Sequence, residues 1–291
     1  MGFTNDLSDR FFRRVCVLAN RLPCDPEHLL AVWFSESIGI CAGLQNQFGA
    51  DAWGINQMTT KNIQAAGWSG SMAEYLTLSA EQQLSFVETQ VTPYIGQGIF
   101  TSAARIYQAN FLPGTLNSAT TLDSKIAVKD GMNALAYNAN KDFDKAKKGF
   151  ITLRDLQEAV DGAINNSFTG KCGGGPLRQR WLEIKVRLTA ARATPVFAQP
   201  AGLIGEWVVT TPDGKYRYVF RHCGAVLWAY DYQPTILDET AADYTVEGGK
   251  LKISWVHSTE SWDLPLNIGN QTGTLLDGDK STGNLTARKL R

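Results

Sequence analysis

Hydrophobic residues are spaced differently in the two parts of this chain. Up to about residue 193 they recur every three or four positions, as on amphipathic helices. Later stretches such as 216–221 and 251–255 alternate apolar and polar residues, as strands do, and glycine-containing turn signals separate them. The pattern predicts a two-domain α+β chain. A mainly α-helical domain at 1–194 is followed by a linker at 195–202 and a small antiparallel β-barrel or sandwich at 203–291.

The helical part carries clear signals for where helices begin. Asp25 followed by Pro26 suits a capped helix start, and Ser79 with Gln82 three residues later suits a capping box. Prolines at 23, 93 and 113 stop the helices before them. The predicted helices span residues 9–22, 26–36, 58–66, 79–91, 101–111 and 177–191, with a helix pair within 123–165.

The most informative stretch runs from residue 28 to residue 61. Its first half is a strongly apolar helical run that ends at Glu36, and its second half places Gly54 between bulky residues and reaches an amide at Gln57. A lone carboxyl at the end of an apolar helix loses contact with water, which raises its pKa. A general acid that must hold its proton near neutral pH needs such a pKa. Glu36 is therefore the candidate catalytic residue.

Three short segments resemble those of the goose-type lysozyme and lytic transglycosylase superfamily. They are Glu36-Ser37, the segment 52–58 (AWGINQM) and the segment 106–110 (IYQAN), in the family's order and with similar spacing. Tyr107 is followed by Gln-Ala-Asn instead of the usual Asn-Ala-Gly, and the interval from Glu36 to Gln57 is longer than in many members. The resemblance covers residues 25–115 directly and extends to the helices up to 193. It does not reach the last ninety or so residues.

The resemblance implies a peptidoglycan-cleaving muramidase with a lysozyme-like domain at 1–194. Glu36 would protonate the glycosidic oxygen between N-acetylmuramic acid and N-acetylglucosamine and then act as base, forming a 1,6-anhydro ring. The substrate-binding residues that we carry over or place in the same cleft are Gln57, Tyr107, Ser37, Asn46, Asp51 and Gln108.

Other functions remain open from the sequence. A goose-lysozyme-like hydrolase would use water and would normally need a second carboxylate, for which Asp51 is the nearest candidate. Chitin differs from peptidoglycan only in its sugars and stays an alternative substrate. A catalytically inactive phage-tail or secretion-apparatus adaptor is the alternative outside enzymes, but an adaptor has no need of an acid at the end of a buried helix.

Charge and the N-terminus bear on location and partners. Lys+Arg and Asp+Glu both number 28, so no net field favours nucleic acid. Asp6 and Asp9 precede the basic residues, Arg13 and Arg14 interrupt the apolar run, and no membrane-length apolar run occurs. We expect synthesis in the cytoplasm without a signal peptide, delivery to the periplasm or cell wall as an antibacterial effector, and peptidoglycan and a delivery or immunity protein as partners.

No cofactor or metal is expected. Five cysteines and three histidines show no zinc spacing, and we expect the cysteines to be mainly small buried residues, with one bridge among Cys16, Cys24 and Cys41 as the alternative in an oxidising periplasm. Residues 144–155 have the spacing of a calcium loop, but Ala146 and Lys148 occupy ligand positions. We therefore predict a metal-free helix–loop–helix.

The aromatic residues of the last domain allow two interpretations. Rings that shared an exposed face would stack on sugars and make the domain a binding module, whereas rings that faced inward would fill the core of a small barrel. The residues concerned are Trp207, Trp228, Tyr230, Tyr232, Tyr244, Trp255 and Trp262.

Overall fold

The computed structural model describes residues 7–46, 49–168 and 175–193, and the strands between 205 and 289. The chain divides into two compact units, Met1–Thr194 and Pro195–Arg291. The first is mainly helical and the second consists of antiparallel strands, so the predicted mixed α+β class is confirmed. The linker predicted at 195–202 lies outside the described residues.

The first unit combines α-helices with a two-stranded sheet and three 3-10 turns (Thr92–Tyr94, Pro113–Thr115 and Lys141–Phe143). Its helices are α1 (Asp9–Arg21), α2 (Pro26–Glu36), α3 (Thr60–Ala65), α4 (Met72–Tyr75), α5 (Ala80–Val91), α6 (Ala103–Phe111), α7 (Ala134–Ala139), α8 (Leu153–Ile164) and α9 (Leu177–Ala193). Its strands are β1 (Lys125–Val128) and β2 (Phe150–Thr152).

The predicted helix starts are confirmed where a cap was recognised. Asp25 accepts a hydrogen bond of 2.8 Å from the backbone N–H of Glu27 and caps α2. Ser79 and Gln82 form the reciprocal pair of a capping box at the start of α5. A side-chain cap of this kind contributes about 1 kcal/mol to helix stability, so local sequence fixes these boundaries.

Helix α2 lies at the centre of the first unit and packs against α1, α6, α8 and α9. Every residue from Leu29 to Phe34 is buried. The Trp33 ring lies 6.4 Å from that of Phe11 on α1, and the Phe34 ring lies 5.3 Å from that of Trp181 on α9. Each large apolar side chain buried in this way contributes about 1.5–3 kcal/mol. The end of α2, and with it Glu36, is therefore held on a rigid element.

The helix pair predicted within 123–165 is wrong in its first half. Strands β1 and β2 pair antiparallel there, with Val128 opposite Phe150 and Ala127 opposite Ile151, and only a short helix, α7, lies between them. Ile126 and Ile151 are fully buried. Branched side chains of this kind favour extended backbone over helix. The second predicted helix is present as α8.

The second unit is one antiparallel sheet. Each strand pairs with its neighbours in sequence, and β10 pairs with both β9 and β3, so the strand order closes on itself. The strands are β3 (Gly205–Thr211), β4 (Gly214–Phe220), β5 (Ala225–Tyr230), β6 (Asp238–Glu247), β7 (Lys250–Trp255), β8 (Thr259–Asp263), β9 (Asn270–Asp277) and β10 (Lys280–Lys289).

Aromatic rings fill the core of the second unit. A buried carboxylate, Glu260, lies among them and accepts hydrogen bonds from the Tyr218 hydroxyl at 2.7 Å and from Trp262 Nε1 at 3.1 Å. Core packing is thus the role of the described rings. The prediction for Trp228, Tyr230, Tyr232 and Trp255 concerns side chains outside the described part. The buried rings are Trp207, Tyr218, Phe220, Tyr244 and Trp262.

The described cysteines of the first unit are mainly buried, as expected: Cys16 and Cys41 are buried and Cys24 is partly buried. Cys16 and Cys24 are free thiols, and burial raises the pKa of Cys24 to about 12. Cys41 is disulfide-bonded, and neither Cys16 nor Cys24 is its partner. The alternative prediction, a disulfide between two of these three cysteines, is therefore wrong.

Among the helices that the structure describes, none combines the length and the apolar character that crossing a membrane requires.

Candidate active site

Glu36 is the last residue of α2 and remains partly exposed, as does Ser35, whereas Leu29–Phe34 before them are buried. Removal of water by the surrounding protein raises the pKa of its carboxyl to about 7. A hydrogen bond from the Tyr107 hydroxyl acts in the opposite direction, because it stabilises the ionised form. The carboxyl therefore holds its proton near neutral pH and is still reachable from solvent, as a general acid requires.

Tyr107 lies on α6 and brings a second helix to the site. Its phenol hydrogen-bonds with Glu36 and Ser35, and burial together with the charge of Glu36 raises its own pKa. The phenol is thus neutral at physiological pH and is available as a hydrogen-bond donor to the carboxyl. Glu36 and Tyr107 were both predicted from the sequence. Ser35 was not, and its place beside them follows from its position one residue before Glu36.

The turn that follows Glu36 is fixed by buried polar contacts. The Ser37 hydroxyl, fully buried, donates to the Trp33 carbonyl at 2.7 Å and accepts from the Cys41 backbone N–H at 3.1 Å. Arg180 on α9, also buried, donates to the carbonyl of Gly39, whose φ is +104°. Ser37, predicted to bind substrate, is thus engaged in holding this turn.

Gln57 and Asn46 lie in a tight hairpin that follows the turn after Glu36 along the chain. The Asn46 backbone N–H donates to the Ala52 carbonyl at 2.9 Å, and that of Gly54 donates to the Leu44 carbonyl at 2.8 Å. The Gln57 side-chain amide donates to the carbonyls of Leu44 and Gly54 at 3.2 and 3.0 Å. The amide N–H groups of Gln57 therefore hold the hairpin together, and its amide oxygen takes no part in these two bonds.

Gln83 ties this hairpin to the turn after Glu36, and the sequence reading missed it. Its amide oxygen accepts from the Ile55 backbone N–H at 3.0 Å, and its amide nitrogen donates to the Ala42 carbonyl at 2.8 Å. Gly54 approaches it so closely, at φ +73°, that a Cβ there would lie 2.3 Å from the Gln83 oxygen. One signal in the sequence could have identified Gln83, because it is a polar residue on the apolar face of α5, on the same side of the helix as Ala80 and Val87.

A second amide cluster connects the hairpin to α6. Asn110 donates to the Asn56 side-chain oxygen at 2.6 Å, and Asn56 donates to Gln90 on α5 at 3.1 Å. Asn110 follows Tyr107 by three residues, so both lie on the same side of α6. The cluster thus fixes the hairpin against the helix that carries the phenol.

Asp51 is exposed and is bonded within the hairpin region. Its carboxylate accepts from Trp53 Nε1 at 2.6 Å and from the Thr60 backbone N–H at 3.1 Å, and the Thr60 hydroxyl also donates to it. The Thr60 and Trp53 side chains lower the pKa of Asp51. Asp51 is therefore an ionised residue that joins the hairpin to the start of α3.

Gln108 does not reach the site. Its side chain is fully buried, accepts from Arg105 at 2.6 Å and donates to the Thr115 hydroxyl at 2.9 Å, which ties α6 to the turn after it. Phe143, which the sequence reading missed, lies close to the site instead. Its ring stands perpendicular to that of Tyr107 with 5.6 Å between centroids.

The structure thus brings Glu36, Ser35 and Tyr107 together, with the Phe143 ring against the phenol. The hairpin of Asn46, Asp51 and Gln57 is tied to the turn after Glu36 by Gln83 and to α6 by Asn110. In the described residues, no three His, Cys, Asp or Glu side chains are grouped so that they could hold a metal ion. Comparison of the chain with protein-family models, curated proteins and solved structures finds no match.

Proposed function

We propose that the chain is a muramidase of the lytic transglycosylase type, which cleaves the β-1,4 bond between N-acetylmuramic acid and N-acetylglucosamine. The observation that carries the proposal is Glu36 at the end of buried helix α2, with a pKa of about 7 and a phenol hydrogen-bonded to it. In this proposal the first unit is a lysozyme-like catalytic domain. The second is a small β-barrel domain that binds substrate or a partner.

A single carboxyl performs both proton transfers. Protonated Glu36 gives its proton to the glycosidic oxygen while the bond from that oxygen to muramyl C1 breaks. The Glu36 carboxylate then takes the proton of the muramyl 6-hydroxyl while its oxygen bonds to C1. The products are a free 4-hydroxyl on N-acetylglucosamine and a 1,6-anhydromuramyl end. No water is consumed, and Glu36 ends the cycle protonated.

Tyr107 supports the step in which Glu36 is negative. After the first proton transfer the carboxylate stands in surroundings that disfavour its charge, and the Tyr107 hydroxyl hydrogen-bonds with it. Hydrogen bonds to an ionised group are stronger than those between neutral groups. The phenol therefore favours the charged intermediate state over the starting state.

The environment of Asp51 favours a transglycosylase over a hydrolase. A hydrolase normally uses a second carboxylate to activate water or to attack the sugar. The Asp51 carboxylate is bonded to Trp53 and to Thr60 and is exposed. A carboxylate engaged in this way is a poor base, whereas the transglycosylase reaction needs no second acid.

We further propose that the protein acts in the periplasm or cell wall as a delivered antibacterial effector, with a delivery or immunity protein as partner. The observation that favours this location is the disulfide at Cys41, since disulfides persist in oxidising compartments.

The proposal is tested by digesting purified peptidoglycan sacculi with the wild type and with Glu36→Gln, and by analysing released muropeptides by mass spectrometry. Glu27→Gln is the matched control, because it makes the same chemical change on the same helix at a surface ion pair with Lys185. We expect anhydromuramyl products from the wild type and the control, and a loss of at least about 100-fold in Glu36→Gln.

Each other outcome leads to a different function. Products with reducing ends would identify a hydrolase and make Asp51 the next residue to change. Release from chitin oligosaccharides as well would widen the substrate class. No release by a folded wild type would favour an adaptor and would overturn the proposal.

A further inference from the structure

The loop from Asp144 to Asp155, here called the Asp144 loop, has the length and key positions of a twelve-residue calcium loop. Such loops carry acidic ligands at positions 1, 3, 5 and 12 and a glycine at position 6. In this chain Asp144, Gly149 and Asp155 occupy positions 1, 6 and 12, and Gly149 has the expected positive φ, +81°. Positions 3 and 5 are Ala146 and Lys148, which are not calcium ligands.

The Lys148 ammonium lies against the acid that would close a calcium site. Its Nζ is 2.7 and 2.9 Å from the two oxygens of Asp155, so the lysine contacts that carboxylate in bidentate fashion. The Asp155 side chain is 7% exposed and that of Lys148 is 31% exposed. Asp155 also accepts from the Thr152 backbone and hydroxyl, both at 2.7 Å, and so caps α8. The Lys148 ammonium thus links position 5 of the loop to position 12.

Asp144 closes the first half of the loop. It accepts from the backbone N–H groups of Lys148 and Gly149 at 2.8 and 2.7 Å and from the Tyr137 hydroxyl at 2.9 Å. Lys148 therefore belongs to both halves, because its backbone bonds to Asp144 and its side chain bonds to Asp155. The residue at position 5 connects both acids without a metal ion.

This loop is adjacent to the candidate active site. Phe143, directly before Asp144, packs its ring against Tyr107 at 5.6 Å and against Phe111 at 5.8 Å. Tyr107 is the residue that hydrogen-bonds with Glu36. Phe143 is joined to Asp144 by one peptide bond, so the hydrogen bonds that fix Asp144 restrict where the Phe143 ring can lie.

We propose that Lys148 is a positioning residue of the Glu36 site. Its ammonium takes the part that a divalent cation takes in a loop of this spacing, and it holds the Asp144 loop so that Phe143 stays packed on Tyr107. The loop and the site beside it therefore keep their arrangement without a divalent ion. The consequence for catalysis rests on the proposed function, whereas the consequence for loop structure and for the Glu36 carboxyl does not.

The experiment compares the full-length wild type with Lys148→Met and with the double variant Ala146→Asp/Lys148→Asp, which restores acidic ligands at positions 3 and 5. Lys145→Met is the matched control, since it removes an exposed lysine from the same loop. Thermal unfolding is measured in EDTA and in millimolar Ca²⁺, and the titration of Glu36 is followed by NMR of ¹³C-labelled glutamate. Neither measurement requires turnover.

We expect the Tm of the wild type and of Lys145→Met to be the same in EDTA and in Ca²⁺. Lys148→Met should lose about 3 °C in both, and its Glu36 should titrate at lower pH because water enters where Phe143 loosens. The double variant should show the same loss in EDTA and regain both Tm and the Glu36 titration in Ca²⁺, because the metal ion replaces the ammonium.

The proposal is overturned if the wild type itself gains stability from Ca²⁺, since the loop would then be a metal site. It is equally overturned if Lys148→Met matches Lys145→Met in Tm and in the Glu36 titration, or if the double variant stays folded without any response to Ca²⁺. Failure of the proposed function would leave these results unchanged and would appear only as absent muropeptide release.

Discussion

Glu36 hydrogen-bonds with Tyr107, and Asp144 directly follows Phe143, whose ring packs against Tyr107, yet the pKa values of the two acids are shifted in opposite directions. Asp144 is 3% exposed, and burial alone would raise its pKa, but the backbone N–H groups of Lys148 and Gly149 and the Tyr137 hydroxyl lower it. Glu36 is more exposed, and desolvation raises its pKa to about 7 against the opposing Tyr107 hydrogen bond.

The difference shows what hydrogen-bond donors around a carboxyl do: several donors lower its pKa and keep it charged, whereas desolvation opposed by a single donor raises it. Asp144 is surrounded by donors that are preorganised by a tight loop, so it is ionised and structural. Glu36 ends an apolar helix with few donors, so it is protonated near neutral pH and chemically available. A carboxyl that holds its proton near neutral pH and a carboxylate that closes a loop therefore occur in the same compact unit.

Asp144→Ala should give the largest loss of stability. It leaves two backbone N–H groups and the Tyr137 hydroxyl without their acceptor in a buried place, which costs about 3 kcal/mol or more. Chemical denaturation at pH 7 measures this loss, and exposed Asp142→Ala is the matched control. Equal effects of the two changes would show that the donors around Asp144 contribute little.

Glu36→Gln should have the opposite effect and stabilise the protein above pH 7. The folded pKa of about 7 exceeds the ordinary value of 4.5, so the folded state binds more protons between these values. The free energy of unfolding of the wild type should then fall as pH rises from 4.5 to 7 and level off above 7. Glutamine does not titrate, so the variant should gain about 3 kcal/mol at pH 8.

The gain from Glu36→Gln should disappear at pH 4, where the wild-type carboxyl is protonated in both states. Denaturation at pH 4, 6 and 8 measures it. A gain that is the same at all three values would mean that the folded-state pKa of Glu36 is ordinary.

Tyr107→Phe tests the role of donors directly, because it removes the Tyr107 hydroxyl that hydrogen-bonds with Glu36. The Tyr107 hydrogen bond lowers the Glu36 pKa, so its loss should move the titration of Glu36 to higher pH. Removing a hydrogen bond to a charged group costs about 1.5–3 kcal/mol, so muropeptide release should fall roughly 10- to 100-fold. The pH profile of release checks the direction, and a shift to lower pH would contradict the proposed contact.

Asp51→Asn should have the smallest effect. Asp51 is exposed and bonded to Trp53 and Thr60, and asparagine keeps one acceptor for them. We expect a change in stability below about 1 kcal/mol and little change in anhydromuramyl release. Loss of release comparable with that of Glu36→Gln would show instead that Asp51 is a second catalytic carboxylate.

Several elements of the site could be predicted because their signals are local. The apolar run of α2, its Asp25 cap and the acid at its end are all visible within a dozen residues, and so is the capping box of α5. The strands β1 and β2 were not predicted, because their pairing joins residues more than twenty positions apart and each strand is only three or four residues long.

The long-range hydrogen bonds that hold the site in place could not be predicted from the sequence either. Gln83 bonds Ala42 across 41 residues, and Arg180 bonds Gly39 across 141 residues. The local sequence pattern does not indicate the partner of a buried polar side chain, because tertiary packing determines which groups meet. Ser37 and Gln108 were predicted as substrate contacts from the motif alone, and burial gives both of them bonds within the fold.

The sequence by itself determined the change from helical to strand periodicity, the helix that carries Glu36 and the segments that bring Tyr107 into consideration, because periodicity and caps act over one or two turns of chain. The tertiary structure decided that Tyr107 hydrogen-bonds with Glu36, that Phe143 stands behind it and that Lys148 bonds Asp155. These contacts depend on which surfaces pack together. The pKa of a carboxyl depends on the water and the donors that packing leaves around it.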